Sequence, residues 1–172
     1  WGGGGGWGGA GGGGGGGAAY GITTNNSQMN LDNGPFNMMY SAVERANLTI
    51  EGLRKYGNVE SDRDMAHLLG EALTLRAMIY YDLVKAWGDV PARFSPVAAD
   101  NMYVAKSSRD VIFKQLLADL DEAIGYLYEP LESGITARTD RVNKTFAQGL
   151  YARIALSAAE YALRPDDGAG GP

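Results

Sequence analysis

One helix limits most strongly what this chain can fold into. It runs through Glu71 to Trp87 and stops at Pro91. Placed at about 100° per residue, its polar side chains fall on one narrow stripe, and most of its other side chains are apolar. Such a helix is buried among neighbours. Gly88 suits a left-handed C-terminal cap, and proline cannot continue a helix. The stripe, which we expect to face solvent, comprises Asp64, His67, Glu71, Thr74, Asp82 and Lys85.

Arg76 breaks this pattern because it lies opposite the polar stripe. A guanidinium group among apolar side chains needs a carboxylate or carbonyl partner, since an unpaired buried charge is costly. We therefore predict a structural ion pair, with Glu44 and Asp119 as candidate partners. Asn47 falls inside the apolar face of the preceding helix, so we expect it to be buried and hydrogen-bonded. Arg153 is expected to be buried and paired like Arg76.

The remaining pattern predicts an all-α fold. Apolar residues recur at helical spacing in four segments, and no segment alternates at the period of a strand. The segment ALTLRA at 72–77 is echoed by GLYARI at 149–154, each in the second helix of a predicted antiparallel pair. Paired helices with small residues in the second helix are typical of tetratricopeptide-like stacking. The predicted helices span about 35–55, 62 or 63 to 87, 108 or 109 to 127, and 143–162. Ser61 or Asp62 is the expected cap of the second helix, and Ser107 or Ser108 that of the third.

The two ends of the chain differ in composition from its middle. Residues 1–21 hold more than half of the 26 glycines, with neither a collagen period nor an apolar pattern. This run is either a flexible linker or, as we prefer, a stretch in which glycine stands for unidentified residues. Residues 166–172 have the same character. We therefore divide the chain into a glycine-rich segment, a helical region at 22–165 and a short tail.

Composition argues against most chemistry. The formal charge of −5 and the absence of a basic patch argue against nucleic acid. With one His and no Cys, the chain is poorly equipped for acid–base or nucleophilic catalysis, so we expect no enzyme and no cofactor. His67 and Glu71 have metal-ligand spacing but no evident third ligand, so a solvated pair is expected and no metal site. No apolar run reaches the length of a membrane span.

Several segments, in order, resemble the SusD/RagB family of Bacteroidota. They are YSAVERAN at 40–47, EALTLRA at 71–77 followed by Tyr80 and Tyr81, WGDVP at 87–91, SRDVI at 108–112, and RVNK at 141–144 leading to Ala152 and Arg153. The resemblance covers about residues 36–161. It implies a helical, tetratricopeptide-like surface lipoprotein of the outer membrane that binds glycans or peptides. It further implies a lid on a TonB-dependent, SusC-type transporter barrel, and a family chain much longer than this one. The family's lipid-bearing Cys has no counterpart here, so the anchor is not visible.

Two functions follow as hypotheses. The first is the nutrient-binding lid, and the second is a helical scaffold that binds other proteins without a small ligand. For the first, the loop at 92–107 is the expected ligand-binding region, since binding residues often lie on loops held by a rigid scaffold. The candidate ligand contacts are Asp89, just before this loop, and Phe94 and Tyr103 within it. Trp87 is expected to pack against the core instead.

Overall fold

The computed structural model describes residues 34–138 and 140–163, and four helices account for most of them. The predictions for residues 1–21 and 166–172 lie outside the described residues. The helices are α1 (Gly34–Tyr56), α2 (Arg63–Trp87), α3 (Arg109–Tyr126) and α4 (Lys144–Leu163). The predicted all-α fold is confirmed, and each helix end lies within a residue or two of its predicted position.

Local side chains explain where α2 and α3 begin and end. Asp62 caps α2 because its carboxylate accepts the backbone N–H groups of Asp64 and Met65. Ser108 caps α3 in the same way, by accepting the backbone N–H of Val111. Gly88 ends α2 with φ +73° and ψ −122°. The φ is positive as expected, but this ψ lies outside the left-handed helical region, so glycine is needed for a different turn than the predicted one.

Successive helices pack against each other in antiparallel fashion. Tyr40 near the start of α1 meets Tyr80 near the end of α2. Phe113 at the start of α3 stacks on Tyr161 at the end of α4, with ring centroids 5.5 Å apart. α2 lies between α1 and α3 and is buried along most of its length, as its apolar circumference predicts. Its fully buried large side chains include Leu69, Leu73, Tyr80 and Leu83.

Only the ends of the polar stripe of α2, Asp64 and Lys85, are exposed as predicted. His67 and Thr74 are fully buried, and Glu71 is half-buried. The cause is the connection between α3 and α4, residues 127–143, which lies over this part of α2: Tyr128 contacts His67 and Arg141 pairs with Glu71. A polar stripe can therefore mark a surface that a polar loop covers.

One short ladder corrects the prediction of a chain without strands. β1 (Val90–Pro91) pairs antiparallel with β2 (Lys106–Ser107), in the register Val90 to Ser107 and Pro91 to Lys106. The ladder closes the base of the loop that connects α2 to α3. None of the described helices combines the length and the apolarity needed to cross a bilayer.

Candidate ligand-binding loop

The loop between α2 and α3 is held by a buried polar cluster around Arg76, which lies between the helices and the loop. The Arg76 guanidinium donates to Asp119 Oδ2 at 2.7 Å and to Asn47 Oδ1 at 3.0 Å. It also donates to the backbone carbonyl of Phe94 at 3.0 Å, so the cluster reaches the loop directly. Arg76 is 3% exposed and Asp119 5%, which makes this a desolvated ion pair with additional hydrogen bonds. The predicted pairing of Arg76 with Asp119 is confirmed.

Asn47 extends the cluster to two more loop carbonyls. Its Nδ2 donates to the carbonyls of Arg93 and Ser95, each at 3.0 Å, while its Oδ1 accepts from Arg76. The side chain is 1% exposed and fully used, as predicted for a buried amide. Two helices and the loop are therefore joined through one side chain.

The other candidate partner of Arg76 was assigned wrongly. Glu44 does not reach Arg76; its carboxylate accepts the backbone N–H of Val97 at 3.0 and 3.2 Å. Glu44 is on α1, one turn before Asn47, so both side chains face the same loop. The expectation for Arg153 was also wrong, because this side chain is exposed on α4.

Two tyrosines hold the start of the loop. The Tyr80 hydroxyl donates to the carbonyl of Arg93 and accepts its backbone N–H at 2.6 Å. The Tyr40 hydroxyl donates to the carbonyl of Pro91 at 2.7 Å. Burial raises the pKa of Tyr80 to about 12 and raises that of Tyr40 further, so both phenols stay neutral donors.

Phe94 belongs to this framework. Its ring stacks on Tyr80 with centroids 4.6 Å apart, and the Arg76 guanidinium lies 5.0 Å from its centroid. Asp89, at the foot of the loop, accepts the backbone N–H of Arg109 at 3.1 Å. Phe94 and Asp89 therefore both contact other parts of the protein and help to hold the loop. Their contact with a ligand stays a prediction.

The tip of the loop is braced from within and leaves apolar side chains exposed. The Arg93 guanidinium donates to the carbonyls of Asn101 and Met102 at 3.2 and 2.6 Å. Asn101 Oδ1 accepts the backbone N–H of Ala98 at 2.7 Å. On this braced backbone Tyr103 is 93% exposed and Met102 51%. Sequence reasoning missed Arg93 and Asn101, whose only signal is their place between two helices in a proline-containing loop.

Trp87 packs against the core, as expected. It is half-buried, and its ring meets Phe36 edge-on with centroids 5.4 Å apart. The loop between α2 and α3 borders an open cavity of about 480 Å³, which lies between α1 and the base of this loop. That cavity is lined by Asn37, Tyr40, Ser41, Val43, Glu44, Arg45, Arg93 and Val97. Within the described part of the chain, no three His, Cys, Asp or Glu side chains form a group that could hold a metal ion.

Antiparallel helices that hold a braced loop through a buried Arg–Asp pair define a helical scaffold that presents one loop. Residues 17–156 match the family model of SusD-like proteins, whose description is starch-binding and associating with the outer membrane. The chain belongs to this SusD-like family. A SusD-like protein of Formosa agariphila is 33% identical over 86 residues, which are 49% of this chain and 16% of that relative.

Solved structures agree with this assignment. A SusD-like protein from Bacteroides fragilis is 26% identical with a TM-score of 0.64, over 74% of this chain and 24% of that one. A surface glycan-binding protein from Bacteroides fluxus (24% identical, TM-score 0.63) matches over 75% of this chain and 26% of its own. A laminarin-binding SusD-like protein (23%, TM-score 0.63) matches over 78% and 29%. The last two show the shared fold. The chain spans a quarter or so of the length of these three structures.

Proposed function

We propose that this chain contributes to the binding of nutrient glycans at the extracellular face of the outer membrane. The protein would act there as the lid of a TonB-dependent, SusC-type transporter barrel, without catalysing a reaction itself. The family description, starch-binding and associating with the outer membrane, supports the outer membrane and the ligand class. Two of the similar structures are described as glycan- or laminarin-binding proteins. A peptide ligand is the alternative within the same function.

The braced loop is the observation that carries the proposal in this chain. Tyr103 offers a nearly fully exposed ring on a backbone that Arg93 and Asn101 hold in place. Rigid aromatic side chains supply large contact area at low cost in conformational entropy. A sugar ring has apolar faces that can stack on such a ring. Tyr103 is therefore our main candidate for ligand contact, with Asp89 and Phe94 below it.

Binding of insoluble starch and of laminarin by matched variants tests the ligand class. We expect Tyr103→Ala to weaken glycan retention at least several-fold. Tyr56→Ala removes an equally exposed ring, 86% exposed at the end of α1, and should have no effect. Equal retention by both variants would contradict the role of Tyr103. Retention of a peptide mixture instead of either glycan would favour the peptide alternative.

Photo-crosslinking in outer membranes tests the lid. A crosslinking residue at position 103 should capture a barrel protein, and one at position 56 should not. If only position 56 is crosslinked, the loop assignment is wrong. If no barrel co-purifies, the result favours the second hypothesis, a helical scaffold that binds other proteins. An apolar groove of about 420 Å³ between α1 and α2, where Leu75 is 41% exposed, is the observation that favours that second candidate.

A further inference from the structure

A second buried polar site lies at the opposite end of α2, where the α3–α4 connection (residues 127–143) covers the helix. The His67 side chain is 0% exposed, and its Nδ1 accepts the backbone N–H of Tyr128 at 3.0 Å. The two rings lie 5.0 Å apart between centroids. One turn later, the Glu71 carboxylate accepts two hydrogen bonds from Arg141, at 2.9 and 2.8 Å. These contacts fasten the connection to α2, together with a hydrogen bond from Arg63 to the Leu127 carbonyl.

We propose that His67 is a pH-sensitive clasp for the α3–α4 connection, and that its protonation releases the backbone N–H of Tyr128. In the neutral imidazole one nitrogen accepts and the other carries the proton. Because Nδ1 accepts from Tyr128, the proton is on Nε2. A second proton has only Nδ1 to bind, where it would face the N–H of Tyr128. Two donors cannot share that position, so protonation and the closed clasp exclude each other.

Glu71 attracts a charged His67 but does not complete a hydrogen bond to it. Its Oε1 is 3.3 Å from Nε2, but the direction does not make a hydrogen bond, and Nε2 has no such partner among the described residues. Both carboxylate oxygens of Glu71 already accept from Arg141. The neutral ring is thus the form that the closed clasp accommodates.

Among the described residues, uncharged groups lie beside Gly70, one turn from the ring: the Ala123 carbonyl of α3 and the Leu127 side chain of the connection. Asp64 accepts a hydrogen bond from the Tyr128 hydroxyl at 2.8 Å. The charged and titratable groups nearest the imidazole are Glu71 and Arg63 from α2 and Arg141 and Tyr128 from the connection.

These groups make protonation unfavourable in the folded state. Burial lowers the pKa of His67 below its ordinary value of 6.5. Glu71 opposes that shift, and the positive charges of Arg141 and Arg63 add to it. Because the pKa of His67 is lower in the folded than in the unfolded chain, the unfolded chain binds the proton more readily. The fold is therefore most stable above pH 6.5 and loses stability as the pH falls below that value. The folding equilibrium constant should fall by up to about tenfold per pH unit in that window.

NMR titration of the full 172-residue chain tests the clasp directly, because His67 is its single histidine. We expect the imidazole to titrate with a midpoint below 6.5, and the Tyr128 amide signal to change with the same midpoint. A midpoint at or above 6.5, or a Tyr128 amide that does not follow the ring, would overturn the proposal. This measurement needs no variant and so does not depend on a mutant that folds.

Two variants separate a clasp from a merely structural histidine. Arg141→Gln removes a nearby positive charge and frees Glu71, so the His67 midpoint should rise; an unchanged midpoint contradicts the proposal. His67→Asn keeps an acceptor near the position of Nδ1 but does not titrate. When the pH falls from about 7.5 to about 5.5, the free energy of unfolding of this variant, measured with urea, should decrease less than that of the wild type. An equal loss in both proteins would overturn the proposal.

Discussion

Arg76 and Arg153 occupy corresponding places in two similar helical segments, yet their environments are opposite. Arg76 is 3% exposed and binds Asn47, Asp119 and the Phe94 carbonyl. Arg153 is exposed on α4. α2 has α1 on one side and α3 on the other, whereas α4 packs mainly on α3. The number of neighbouring helices, and not the local motif, decides whether such an arginine is buried.

The largest expected difference between the two arginines is in stability. Arg76→Ala leaves Asp119 buried without its charge partner and should lower the free energy of unfolding by about 3–5 kcal/mol. Arg153→Ala should change it by no more than about 0.5 kcal/mol, as for most surface substitutions. Urea unfolding of both variants measures the difference. Similar losses in both variants would show that the Arg76–Asp119 pair contributes little to stability or that Arg153 makes a stabilising contact of its own.

A smaller effect is expected from the amide that links Arg76 to the loop. Asn47→Ala removes an acceptor from Arg76 and a donor from the carbonyls of Arg93 and Ser95. Leaving such buried groups unpaired should cost about 1–3 kcal/mol. Leu48→Ala, at a 53% exposed position beside it on α1, is the control and should cost less. Equal costs would mean that water or a relaxed loop replaces the lost hydrogen bonds.

The comparison also shows what the sequence can predict. Helix positions were predictable because apolar spacing and capping residues such as Asp62 and Ser108 are local signals. The Arg76–Asp119 pair and the buried Asn47 were predictable because a polar group on an apolar face must have a partner. The exposure of Arg153 was not predictable, because the local sequence is the same whether or not another helix covers it.

Loop contacts were the other part that sequence reasoning could not supply. Arg93 and Glu44 bind backbone groups of the loop, and a contact of this kind leaves no periodic pattern. The burial of His67 depends on a connection that returns over α2 from more than 60 residues away. The sequence therefore indicated the loop as a candidate site but could not separate its half-buried framework, Phe94, from its exposed tip, Tyr103.

The Arg76 cluster holds in place the loop that displays Tyr103. Hydrogen exchange of the loop amides in the matched variants Arg76→Lys and Arg153→Lys tests it most directly. A lysine ammonium cannot reproduce the planar fork of donors of a guanidinium. We predict faster exchange at residues 93–103 in Arg76→Lys and wild-type exchange in Arg153→Lys, with both variants folded. Wild-type exchange in the loop of a folded Arg76→Lys variant, or equal acceleration in the two, would contradict the claim.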